Sequence, residues 1–218
     1  MTISVSYASG PSDKPLLGMT IPELFDNIVS EHGDREAVVC LHQDLRLTYE
    51  QLSERVNVLA KAFIAAGFSK GDRVGIWSTN NMEWVATQYA TAKAGIILVT
   101  INPAYRVHEL AYVLEQSGCK GLVLQSQFKT SDYEGMIGEL CPELASSDVG
   151  NLTSDKFPNL NHIISMTTSG LSGIYNWEDF LTLADQSGDE DLAKRQFDQD
   201  MDDAINIQYT SGTTGFPK

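Results

Sequence analysis

The chemistry in this chain concentrates in its last nine residues, "TSGTTGFPK", Thr210 to Lys218, which follow directly on a short apolar strand pattern, "INIQY". Gly212 and Gly215 can take backbone conformations closed to other residues and bring main-chain N–H groups close to anionic oxygens. Thr210, Ser211, Thr213 and Thr214 add hydroxyl donors, and Lys218 adds a point charge. A strand feeding a glycine-rich, hydroxyl-rich loop is the arrangement of a phosphate cradle. A Walker loop would need Gly-Lys-Ser/Thr in direct succession, and Phe216 and Pro217 separate Gly215 from Lys218. Pro217 also pushes Phe216 out of helical geometry, so the loop is more extended than a Walker loop. The phosphate chemistry is therefore of another kind.

Other chemistry-bearing residues are less well grouped. His32, His42, His108 and His162 are isolated, with no metal spacing and no adjacent nucleophile. Cys40, Cys119 and Cys141 are odd in number and far apart, which indicates neither a disulfide framework nor a zinc site and fits a reducing compartment. Asp198, Asp200 and Asp202 imitate the opening of a calcium loop. The required sixth and twelfth positions are Asp203 and Tyr209 instead of Gly and Glu, so a solvated acidic turn is expected and no metal site. Asn151-Leu152-Thr153 matches a glycosylation triplet but reads as a plain loop.

The composition restricts partners. Fifteen Lys and Arg against twenty-nine Asp and Glu give a net charge of −14, which repels nucleic acid and anionic membrane surfaces. An anionic ligand must then be held by local donors against an unfavourable overall field. The longest apolar run, "AGIILVTI", is far short of the roughly 20 residues that cross a bilayer. Residues 1–19 resemble neither a secretory signal nor an organelle presequence and read as a mobile lead-in.

The elements that must position the loop are legible upstream. "TIPELFDNIVSEHG" predicts a helix with a Thr20/Glu23 capping box, ending at Gly33, and "EAVVCL" a short buried strand. "LTYEQLSERVNVLAKAFIAAG" predicts a longer helix with Thr48 and Gln51 as a second box and Gly67 as a left-handed exit. "DRVGIW", "IILVTI" and "GLVL" read as strands, alternating with helices at "NNMEWVATQYATAKAG", which Asn80 and Glu83 are placed to cap, and "VHELAYVLEQSG". Apolar stripes, Trp84 and Tyr89 included, read as core. This rhythm predicts an α/β fold, doubly wound, with mostly parallel sheets and flanking helices, whose ligands gather at the carboxyl ends of strands. From Gln125 to about Asp203 only "HIISM" and "WEDFLTLA" stand out, which reads as a connection between two sheets. "INIQY" is then expected inside the second sheet, with residues 20–125 well packed and the remainder frayed.

"YTSGTTGFPK" resembles the signature phosphate loop of the adenylate-forming (AMP-dependent synthetase/ligase) superfamily. The likeness extends through "LTYEQLSERVNVLAKAFIAAGFSKGDRVGIW", "NNMEWV", "KAGIILVTINPAYRVHELAYVLEQSGCKGLVL" and "FPNL", which follow the order of an AMP-forming acyl-CoA synthetase from its start. The wording of "INPAYRVHELAYVL" and "QFKTSDY" is most similar to synthetases of medium-chain fatty acids.

The resemblance implies a reaction in which a carboxylate and ATP give an acyl-adenylate and pyrophosphate, after which the acyl group passes to the thiol of coenzyme A. It assigns phosphate contact to Thr210, Ser211, Gly212, Thr213, Thr214, Gly215 and Lys218, and implies ATP, Mg²⁺, coenzyme A and a fatty acid as ligands. The family's adenine, magnesium and ribose residues and the Lys of its C-terminal domain fall beyond Lys218. Residues 20–218 are accordingly expected to be the N-terminal part of an adenylation domain, inactive alone, with no catalytic residue outside the loop and no metal ligands. A non-catalytic short form that binds the full-length enzyme, or part of an aryl-acid CoA ligase, are the alternatives. The resemblance implies the mitochondrial matrix, with the cytoplasm as the alternative for a chain without a visible presequence.

Overall fold

The structure, a computed structural model, describes residue 13 and residues 15–210. Helix α1 (Ile21–His32) begins at Thr20, whose hydroxyl accepts from the Glu23 amide while the Glu23 carboxylate accepts from the Thr20 amide at 2.7 Å. That reciprocal cap is worth about 1 kcal/mol. Strands β1 (Glu36–Cys40) and β2 (Leu45–Thr48) form a separate antiparallel pair. The expectation of a buried strand in the main rhythm is corrected here. Its outer positions Glu36 and Val39 are exposed, and a left-handed Asp44 (φ 48°) returns the chain as a hairpin. Thr48 and Gln51 then form the second capping box, opening α2 (Tyr49–Ala65), and Gly67 leaves at φ 83°.

Alternation follows through β3 (Arg73–Trp77), α3 (Met82–Lys93), β4 (Ile97–Ile101), α4 (Val107–Ser117) and β5 (Gly121–Leu124). One detail differs from the sequence reading. Asn81 caps α3, its side chain accepting from the Trp84 amide at 2.7 Å, whereas Glu83 lies in the first turn. A small hairpin of β6 (Gln127–Phe128) and β7 (Ser131–Asp132) leads into α5 (Tyr133–Leu140).

The next stretch is not a link between sheets. Strands β8 (His162–Ser165) and β9 (Ile174–Asn176) join the same sheet, followed by α6 (Trp177–Thr182), α7 (Asp189–Phe197) and β10 (Asn206–Gln208). The six strands run in the order β10-β4-β3-β5-β8-β9, all parallel. The β10 strand therefore lies at one edge of this sheet, beside β4, and not inside a second one. Against the expected fraying after Gln125, the described part of this stretch is packed, with Ile163, Ile164 and Phe180 fully buried.

Strand residues alternate between two cores, as the pleat requires. Ile76, Leu98, Val123 and Ile164 face a cluster built on Phe25, Phe63 and Phe180 from α1, α2 and α6. Trp77, Val99, Leu122 and Ile163 face the other cluster, with Leu110 and Ile137 from α4 and α5. Burying each such side chain contributes about 1.5–3 kcal/mol. Tyr89 stacks on Phe25 with ring centroids 4.4 Å apart and Trp84 packs on the same cluster, so both are scaffold. Cys40, Cys119 and Cys141 are free thiols and buried. No helix among the described residues is long and apolar enough to cross a membrane.

Candidate functional site

The sequence points to the segment after β10, and the register of that strand decides where the segment starts. Asn206, Ile207 and Gln208 lie opposite Leu98, Val99 and Thr100, and the Leu98 amide donates to the Ile205 carbonyl at 3.0 Å. Ile207 and Tyr209, two residues apart, share one face and pack on the cluster of Val99 and Ile101. Burial raises the Tyr209 phenol above its ordinary value, against the opposing effect of a side-chain hydrogen bond with Ser117. The apolar residues thus anchor the strand, and Thr210 emerges exposed at the carboxyl end of a parallel sheet. That end is where ligands of such sheets bind. Thr210 is the one member of the expected phosphate set whose place is described. Ser211, Gly212, Thr213, Thr214, Gly215 and Lys218 lie outside the described residues.

Neutral polar groups dominate the neighbouring strand ends. Gln125, directly after β5, places its side-chain oxygen 2.8 Å from the Thr79 amide and 2.9 Å from the hydroxyls of Ser78 and Thr79. Asn81 donates to the Ser78 hydroxyl at 2.9 Å. After β4, the Asn102 carbonyl accepts from Trp77 Nε1 at 3.2 Å, and the Pro103 carbonyl accepts from the Tyr133 hydroxyl at 2.5 Å. Trp77 and Tyr133 stack with centroids 3.9 Å apart, which fixes both donors. One carboxylate intrudes: Glu134 accepts from Ser165 at 2.6 Å and from Ser169 at 2.9 Å. Sequence reasoning passed over Gln125, Ser78 and Glu134. Their only signal was position just past, at the end of, or opposite the carboxyl end of an apolar run.

The amino end of the sheet is built from ions instead. Arg73 donates to the Ser117, Gly118 and Gly71 carbonyls at 2.9, 2.8 and 3.3 Å. Lys120 pairs with Asp72 at 2.8 Å, and Lys70 with Asp203 at 2.6 Å. Burial, with the nearby Lys120 charge, lowers the His162 imidazole to about 4. His162 is thus neutral at physiological pH, and its Nδ1 is buried without a partner.

The acidic turn is stitched to itself. The Asp200 amide donates to Asp203 at 2.7 Å and the Asp202 amide to Asp200 at 2.9 Å. Among the described residues no group of three or more His, Cys, Asp or Glu is gathered closely enough to hold a metal ion.

Comparison with known proteins gives this arrangement its context. A family model described as AMP-binding enzyme matches residues 25–218. The chain is 42% identical over 217 residues to the mitochondrial medium-chain acyl-CoA ligase ACSF2 of Mus musculus, covering 98% of this chain and 35% of that protein. It spans about a third of the length of such relatives. Among solved structures, the anthranilate CoA ligase AuaEII in complex with anthranoyl-AMP superposes with a TM-score of 0.70 at 20% identity, over 95% of this chain and 35% of that one. A long-chain-fatty-acid-CoA ligase, FadD1, of Archaeoglobus fulgidus gives 0.68 at 19% identity, over 99% and 39%. These two likenesses show the fold, that of the N-terminal region of adenylate-forming enzymes. With the family model matching most of its length, the chain belongs to the AMP-binding enzyme family.

Proposed function

We propose that this chain carries the triphosphate-holding part of an AMP-forming acyl-CoA ligase for medium-chain fatty acids. The observation that supports it most is the delivery of Thr210 by an edge strand to the carboxyl end of a parallel sheet, immediately before "SGTTGFPK". In the proposed reaction a fatty-acid carboxylate oxygen attacks the α-phosphorus of ATP, the bond to the bridging oxygen of the β-phosphate breaks, and pyrophosphate leaves. The thiolate of coenzyme A then attacks the acyl carbonyl carbon and AMP departs.

The chain's own contribution is to positioning and charge. Backbone N–H groups at Gly212 and Gly215 and the hydroxyls of Thr210, Ser211, Thr213 and Thr214 hold the β- and γ-phosphates, so that the carboxylate meets the α-phosphorus in line. Lys218 balances the charge that accumulates on the leaving pyrophosphate. Among the described residues no three His, Cys, Asp or Glu are gathered that could hold Mg²⁺ without the phosphates. The mostly neutral strand ends fit this role, because unpaired carboxylates beside the loop would repel the phosphates of ATP from a chain already at −14, and the one carboxylate there, Glu134, is engaged by the hydroxyls of Ser165 and Ser169. The mitochondrion, by analogy with the mouse relative, is the proposed location, and within it the matrix.

The test replaces the first third of the mouse ligase with these 218 residues. The graft is expected to make acyl-CoA from octanoate, ATP and coenzyme A. Lys218→Ala within the graft should lower kcat/KM about 100-fold, the range for loss of one charge-stabilising group. The 218-residue chain alone is expected to make none. A graft whose Lys218→Ala variant keeps full activity overturns the assignment.

A further inference from the structure

A cleft of about 460 Å³ opens between α2, α3 and α6, on the face of the sheet away from α4 and α5. Its size falls within the range of small-molecule sites. The floor is apolar and polarisable: Met82, Met166 and Trp177 line it and are each under a tenth exposed. Both thioethers already accept contacts from N–H donors. Arg55 Nη1 lies 3.8 Å from the Met82 sulfur, and Asn81 Nδ2 lies 3.5 Å from the Met166 sulfur.

The rim is unbalanced in charge. Glu54, Glu83 and Glu178 reach it from three different helices, against the single cation Arg55. Glu83 is pinned by a 2.8 Å hydrogen bond from Gln43. Neither Glu54 nor Glu178 takes part in an ion pair among the described residues. Arg55 is likewise in no ion pair among the described residues, but it stands against three carboxylates, and two backbone amides at the start of α3 that could hold an anion are already satisfied. The Met82 amide donates to Gln43 at 2.8 Å and the Trp84 amide to Asn81 at 2.7 Å. Carboxylates around a tryptophan and two thioethers are the chemistry that holds an organic cation.

We propose that this cleft binds a small organic cation with an apolar tail, of the quaternary alkylammonium class. The apolar tail lies along Met82, Met166 and Ala86, and the ammonium faces the carboxylates of Glu54 and Glu178. None of the described residues that line this cleft belongs to the expected phosphate set.

The test is calorimetric titration of the full chain with hexyltrimethylammonium, against hexanoate and hexanol as matched anionic and neutral probes. The cation is expected to bind at least about tenfold more tightly than either. The double variant Glu54→Gln/Glu178→Gln should lose about tenfold in affinity with an unchanged melting temperature. Val58→Trp, at an exposed position on the rim, should block the cleft and abolish binding. Equal binding of the three probes, or a double variant that binds the cation as before, overturns the proposal.

Discussion

The two ends of the six-stranded sheet are held by different chemistry. At the amino end Arg73, Lys120, Asp72, Lys70 and Asp203 are locked in charge-assisted contacts, and Lys120 and Asp72 lie near a neutral His162. At the carboxyl end, amides and hydroxyls of Gln125, Ser78, Thr79 and Asn81 satisfy one another. Charge-assisted bonds are roughly twice as strong as neutral ones. The amino end thus fixes the strands. The carboxyl end leaves a weakly charged platform where an anion can be received by a strongly acidic protein. Among the described residues, ions dominate the amino end, and neutral dipoles, with the single carboxylate of Glu134, dominate the carboxyl end.

The largest effect expected from this contrast is at His162. Its folded-state value of about 4 lies below the ordinary 6.5, so the unfolded chain takes up the proton first. Stability from a neutral His162 is complete above pH 6.5 and falls as pH drops toward 4, by up to about 3 kcal/mol. Urea midpoints at pH 7 and pH 4.5 measure it, and His162→Gln should remove most of the difference. An equal acid loss in that variant would assign the effect to other groups.

Next is Arg73→Ala, which strips donors from three carbonyls at the foot of α4 and β3 and should cost about 2 kcal/mol in denaturant unfolding. Gln125→Ala, its counterpart at the carboxyl end, should cost about 1 kcal/mol, since its partners are neutral and water can replace it. Equal costs at the two ends would break the comparison. Asn81→Ala should likewise cost about 1 kcal/mol, seen as a lower melting temperature, by leaving the Trp84 amide uncapped.

Local signals carried much of this fold into the sequence. Thr20/Glu23 and Thr48/Gln51 cap their helices as spaced, and Gly67 turns as its type allows, because each depends on neighbours three or four residues away. What was not legible depends on distant pairing. Whether "INIQY" joins β4 or another sheet is set by Leu98 and Val99, over a hundred residues earlier. Ile163, Trp177 and Phe180 fall in "HIISM" and "WEDFLTLA", which stand out in the sequence, but that they join the cores of the same sheet is set only by the pairing of β8 with β5. The site divides in the same way. Its loop composition is written in one run, while the platform of Ser78, Gln125 and Glu134 exists only once three strand ends are side by side.

The central claim, that a polyphosphate is held just beyond the edge strand, is tested most directly by titrating the 218-residue chain with ATP and following the ³¹P resonances. The account predicts weak binding, with the β- and γ-phosphorus lines broadened more than the α line, and loss of that broadening in Lys218→Ala without change in the unfolding midpoint. Identical spectra for the two chains, or broadening confined to the α-phosphorus, would contradict it.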